Sequence, residues 1–234
     1  MFIQTFEAED AMPRTTAQNE ALRAATRETV QTAAIRVFAR DGFTAASIRT
    51  IAAEAGLSIG SIYRHYATKH ELFDEFLVQA ATGLTAAAAR LEGPGSPTDL
   101  IREFTTAYLA DLAADDGAAE FSEVVSQGFS TDTPTGTRAR LLAPHQSLWR
   151  AFSAVVRRGQ KAGQLADGDP DTMTVCYFAT LSGLTTMRLA LRHDLNLPSA
   201  ELVLRTLTTP PAAATPTAAT PTLTLILTAG SDDD

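Results

Sequence analysis

A single cysteine, Cys176, stands among 234 residues, which rules out an internal disulfide and any paired-cysteine metal site. No apolar run reaches the roughly 18–20 residues that a bilayer-spanning helix needs. The opening stretch, MFIQTFEAEDAM, lacks the basic start and apolar centre of a secretion signal. A cytoplasmic protein without a membrane partner is the expectation. β-Branched runs are scarce before the C-terminal tail while alanine is abundant, so helix is favoured over sheet. There is no HExxH pair and no glycine-rich phosphate loop, and His145 and His193 have no partner at metal-ligand spacing. With no convergent nucleophile, base or metal set, neither an enzyme nor a cofactor is expected.

Positive charge is also in short supply. The net charge is −8, which looks wrong for a chain that binds nucleic acid until it is divided along the sequence. Residues 1–12 carry −3, residues 13–69 carry eight basic against four acidic side chains, and residues 70–234 carry eleven against twenty. Phosphate binding needs local rather than global basic charge. The division suits a basic head on an acidic body.

What is present is helical periodicity with clear punctuation. Val30, Ala33, Ala34, Val37 and Phe38 share one face of a helix expected over 26–41. Gly42 is placed to stop it, and Phe43 can fold back on that face. Ser47 suits the N-cap of a second helix with Ile48, Ile51, Ala52 and Ala55 as its buried stripe. Gly56 ends that helix in a left-handed turn, Leu57 points inward and Ser58 caps a third helix, on which Ile62 and Tyr66 face the core. Two short helices joined by a tight glycine turn are what helix-turn-helix geometry requires. On the third helix Ser61 is short enough to let the backbone sit deep in a groove, and Arg64 can reach guanine edges or a phosphate. Tyr63, His65 and Lys69 suit phosphate oxygens, and Arg49 lies where it can touch the DNA backbone or a base edge.

Beyond this head, helices are expected over 70–91, from Pro97 to about Asp115, over 118–127, over 138–162 with Pro144 marking a kink or boundary, over 170–193 and over 199–208. Residues 1–20 read as a mobile arm. From Thr209 the Pro/Thr/Ala repeats read as a disordered tail through residue 234. The resulting division is an arm at 1–20, a helix-turn-helix domain at 21–69, a helical body at 70–208 and the tail.

Residues 27–73 resemble the DNA-binding domain of TetR-family transcriptional regulators. The likeness lies in VFARDGF at the end of the first helix, in SIRTIAAEAGLSIGSIYRHY, and in KHELF opening the fourth. The family pattern I-A-x-x-A-G-[LV]-S-x-G-x-[LI]-Y-x-[HY]-[FY]-x-x-K-x-x-L is matched nearly throughout by residues 51–72. Ile59 departs from it, standing where many members have a polar or basic residue. The resemblance implies DNA contacts at Ser61, Tyr63, His65 and Lys69, followed by Ser47, Arg49, Gly60 and Arg64, with Ser58 completing the candidate set. It also implies an all-α protein of nine or ten helices, with a three-helix head and a C-terminal ligand-binding and dimerisation domain. Homodimers of the family pair through their last two helices, here 170–193 and 199–208, with Gly183, Leu184, Met187 and Leu191 as interface candidates. A two-fold dimer would read a quasi-palindromic operator with recognition helices about one DNA turn apart, roughly 34–36 Å.

An effector pocket among helices four to eight is expected to be lined by Phe104, Tyr108, Phe121, Phe129, Trp149, Phe152, Met173 and Tyr177, and so to take an apolar or aromatic small molecule. The function implied is a ligand-responsive repressor. The competing reading is a helical ligand- or protein-binding module with weak or lost DNA binding, for which Ile59 and the acidic body speak.

Overall fold

In the computed structural model of the chain, residues 16–114 and 117–208 are described. Helix α1 runs from Thr16 to Ala45, so residues 16–20, expected in the arm, are helical. Apolar periodicity could not announce this first stretch because residues 16–25 are exposed on every side. Residues 1–15 and the tail at 209–234 lie outside the described residues. At Gly42 the backbone leaves the helix with φ 75° and ψ 159°, which glycine adopts without steric cost, and a further turn carries the chain to Ala45. Phe43 then folds back, its ring 5.5 Å from Phe38 and 5.0 Å from Phe73.

Helix α2 (Ile48–Ala55) and helix α3 (Ile59–Tyr63) follow. The chain continues in α4 (Lys69–Glu92), α5 (Pro97–Ala113), α6 (Ala118–Thr131), α7 (Thr137–Lys161) and α8 (Pro170–Leu191), then a 3-10 turn at Arg192–Asp194 and α9 (Ala200–Leu204). The described residues contain no strand. Helix α7 runs unbroken through Pro144, where a kink or boundary was expected. Asp169 caps α8 by accepting from the Thr172 backbone at 2.8 Å and its hydroxyl at 2.6 Å. These bonds hold its carboxyl below the ordinary range, so the cap is intact at neutral pH and weakens as acid protonates it.

Two apolar cores organise these helices. The first gathers Val37 and Phe38 of α1, Ile51 of α2, Ile62 of α3, Phe73 and Phe76 of α4, Val124 and Val125 of α6 and Leu141 of α7. The boundary expected between residues 69 and 70 therefore falls inside a continuous core. The second core joins the far half of α4 to α5, α7, α8 and α9 around Ile101, Phe152, Val156 and Tyr177. Helix α4 spans both, and it packs more extensively against α7 than against any other helix. Helix α9 is shorter than the segment expected over 199–208. It turns Ala200, Val203 and Leu204 inward, packing chiefly against α5.

Candidate DNA-reading face and cavity

The helix-turn-helix is built by local hydrogen bonds. Ser47 Oγ accepts from the Thr50 backbone at 3.1 Å while Thr50 Oγ1 accepts from the Ser47 backbone at 3.0 Å, a reciprocal cap that satisfies two otherwise orphaned donors. Gly56 takes the left-handed conformation (φ 65°, ψ 28°) that closes α2. Ser58 Oγ accepts from the Ser61 backbone at 3.1 Å and starts α3. The hydroxyls of Ser47 and Ser58 thus serve first as caps.

Helix α3 ends at Tyr63, and His65 and Tyr66 continue it as a turn, both backbone N–H groups donating to Ile62 O. Ile62 and Tyr66 are buried, whereas Tyr63 is 56% exposed and Ile59 40%. Arg49, Gly60 and Arg64 are exposed, and Ser61 and His65 are half-buried. Arg64 donates to Ser61 Oγ at 2.9 Å. Gly60 has no intramolecular reason to be glycine. A Cβ there would meet only Ser58 Oγ at 3.9 Å, and glycine within a helix costs about 0.5–1 kcal/mol relative to alanine. The position is open to a close approach from outside. Gly60→Ala is therefore expected to raise the melting temperature slightly while weakening operator binding. Melting curves and a DNA titration on the same sample check that the two effects have opposite signs.

Lys69 departs from its expected place as a free phosphate contact. Its ammonium donates to the carbonyls of Phe43, Thr44 and Ala46 at 2.7, 3.0 and 2.9 Å, and it lies 4.6 Å from the centre of the Phe43 ring. All three N–H donors are committed to the end of α1. Its structural role comes first, and a phosphate would have to displace a carbonyl.

Nearly two turns along α4, Glu75 ties head to body. Its Oε2 accepts from Gln31 Nε2 and from the Tyr66 hydroxyl, both at 2.8 Å, and its Oε1 pairs with Arg27. Arg27 also lies 5.4 Å from the centre of the Tyr66 ring, and burial pushes the Tyr66 phenol up. Glu75→Ala leaves the Tyr66 hydroxyl and Gln31 without this acceptor and is expected to destabilise by about 1–3 kcal/mol. Denaturant titration measures this, and a double-mutant cycle with Arg27→Ala isolates the share carried by the ion pair.

In the body, a cavity of about 810 Å³ opens among α1, α4, α5, α6, α7 and α8, within the size range of small-molecule sites. Of the expected lining, Phe104, Tyr108, Phe121, Phe129 and Trp149 are on its wall. Phe152, Tyr177 and Met173 are not. Phe152 and Tyr177 are fully buried and stacked on each other with centroids 4.4 Å apart. The Tyr177 hydroxyl is 2.7 Å from Thr105 Oγ1, and since Thr105 donates to Ile101 O, Tyr177 is the donor of that pair. Burial raises its pKa. Met173 accepts from Gln160 Nε2 through sulfur at 3.4 Å and packs beside Gly168. The face of α8 that lines the cavity carries Phe178, Leu181, Ser182 and Thr185 instead, about 100° around the helix from Tyr177.

Asp111, Glu123, His145, Phe178 and Thr185 were not anticipated on this wall. Their common signal is only a shared helical face, which a core-forming stripe shows equally. His145, which has no partner at metal-ligand spacing, stacks on Phe129 at 4.5 Å, and its Nδ1 is 2.9 Å from Leu141 O. Among the described residues no cluster of His, Cys, Asp and Glu could hold a metal ion, and no helix is long and apolar enough to cross a membrane.

A capped helix-turn-helix with an exposed second helix, sharing a core with a helical body that contains a cavity, defines a DNA-binding regulator. Residues 32–76 match the family model described as bacterial regulatory proteins, tetR family. No curated protein sequence matches the chain. Solved structures share its fold. A bacterial regulatory protein in the tetR family from Rhodococcus RHA1 matches with a TM-score of 0.58 at 22% identity, covering 80% of this chain and 98% of that one. The TetR-family transcriptional regulator PfmR from Thermus thermophilus gives 0.55 at 22% identity, over 74% and 92%. SmeT, the repressor of the Stenotrophomonas maltophilia multidrug efflux pump SmeDEF, gives 0.55 at 20% identity, over 80% and 92%. Residues 32–76 thus match the DNA-binding domain of the tetR family, and the helical fold around them is shared with solved regulators described as members of that family.

Proposed function

We propose that the protein represses transcription as a cytoplasmic homodimer on a quasi-palindromic operator, and that it leaves the operator when a small molecule enters the cavity. The observation that carries this reading is the double duty of α4. Gln79 and Gly83 line the cavity, while Glu75, one turn earlier, holds Arg27, Gln31 and Tyr66 of the head. An occupant that shifts α4 relative to α1 would move each head and spoil the match to two half-sites. The similar fold of SmeT forms a complex with triclosan, which supports a small-molecule occupant in a body of this kind.

On the DNA side, Tyr63, Arg64 and Arg49 supply exposed contacts to phosphates and base edges, with Ser61, His65 and Gly60 closest to the groove. Ile59 offers apolar surface suited to a thymine methyl group. Pairing of two copies falls to α8, where Met187 and Leu191 are half or more exposed and Gly183 and Leu184 are partly exposed. On α9, where Ala200, Val203 and Leu204 turn inward, Leu202 at 54% exposure is the apolar residue left to join it.

The test is a fluorescence titration with inverted-repeat DNA from the region flanking the gene. Affinity should fall linearly in log–log terms with salt, because several phosphate contacts release counterions. It should also fall when a cavity ligand is added, and DNA must weaken ligand binding by the same factor. Equal affinity for all sequences, or no dependence on salt, would sink the reading.

A further inference from the structure

The charge inventory of the cavity wall is one-sided. Glu123 and Asp111 line it, and among the described residues no Lys or Arg does. Glu123 accepts from Gln127 Nε2 at 2.7 Å, a neutral partner that leaves its charge uncompensated there. Arg188 shares a separate shallow pocket with Asp111 and donates to the carbonyls of Leu112 and Arg192. A carbonyl can only accept, so His145 Nδ1 carries the proton shared with Leu141 O. The Tyr108 hydroxyl is engaged with Thr185 and Leu181 O. The rest of the wall is largely aromatic, including the stacked pairs Phe129–His145 and Trp149–Phe178. A ligand carboxylate would meet two carboxylates and no Lys or Arg on this wall. A ligand cation would meet opposite charge and ring faces, the two features that hold desolvated cations.

We propose that the cavity selects aromatic or apolar cations, held by Glu123 and Asp111 against its ring faces. This rests on the reading of the cavity as the effector site and adds the sign of the effector's charge. Trp149 is the only tryptophan, it is 41% exposed and it lies on the wall, so its fluorescence reports occupancy directly. The experiment titrates the full-length protein with tetraphenylphosphonium, tetraphenylborate and triphenylmethanol, which share a phenyl-rich body and carry positive, negative and no charge. The phosphonium is expected to quench Trp149 with an affinity at least about tenfold above the other two. In Glu123→Gln and Asp111→Asn that preference should shrink while triphenylmethanol binding changes little. Gly83→Phe, at a position where a side chain would enter open space, should abolish quenching by all three.

Equal affinities, or a preference for the borate, overturn the charge selection and leave the effector cavity standing, provided Gly83→Phe still blocks binding. If none of the three binds, or if binding survives Gly83→Phe, the effector reading falls and takes this proposal with it.

Discussion

Replacing Lys69 with methionine is expected to destabilise the chain by about 2–3 kcal/mol, since three carbonyls lose a charged donor and each such bond contributes on the order of 1.5–3 kcal/mol before discounting for partial exposure. For a chain of this size that corresponds to a drop of roughly 5–10 °C in melting temperature. The methionine keeps the stem over the Phe43 ring, so the loss belongs to the ammonium. The carbonyls of Phe43, Thr44 and Ala46 lie at the junction of α1 and α2, so operator binding should weaken together with stability. A variant that melts like the parent but loses DNA binding would show that the ammonium's work is at the phosphate after all.

Tyr63→Ala should do the reverse. The ring is mostly exposed and α3 is pinned from beneath by Ile62 and Tyr66, so the melting temperature should stay within about a degree, as expected for a surface substitution. Operator affinity should fall by about 1–3 kcal/mol for each head that loses its contact. In a two-fold dimer the loss counts twice, giving roughly 30-fold or more. Comparing specific with random DNA separates two roles, because loss of a phosphate contact weakens both to a similar degree while loss of a base contact narrows the gap between them. Unchanged affinity would remove α3 from the reading face.

These two variants also mark what the amino-acid order makes legible. Ser47, Gly56, Ser58, Pro97 and Asp169 act on backbone groups within a few residues of themselves, so their roles follow from local chemistry and could be read directly. Lys69 could not be, because its acceptors lie 23–26 residues away and nothing local distinguishes a lysine facing carbonyls from one facing solvent. On α8, Tyr177 and Phe178 are neighbours of similar size, and only the packing of α5 and α7 decides that Tyr177 enters the core and Phe178 the cavity wall. The carboxylates of Asp111 and Glu123 read as solvated helix positions until six helices are seen to converge around them. The start of α1 escaped for a different reason, having no buried face to impose a period.

The core shared by Phe38, Phe43, Phe73, Phe76 and Phe121 also sets a rule for building chimaeras from this protein. A reading head cut at residue 69 would leave behind the phenylalanines that its first helix packs on. A cut at the end of α4 would still strip away the α6 and α7 side chains that close that core. Exchanging heads between regulators to change the operator would therefore fail at a seam placed in the loop. It should succeed where only the exposed positions of α2 and α3 are swapped, because those residues can change their message without disturbing what holds them up.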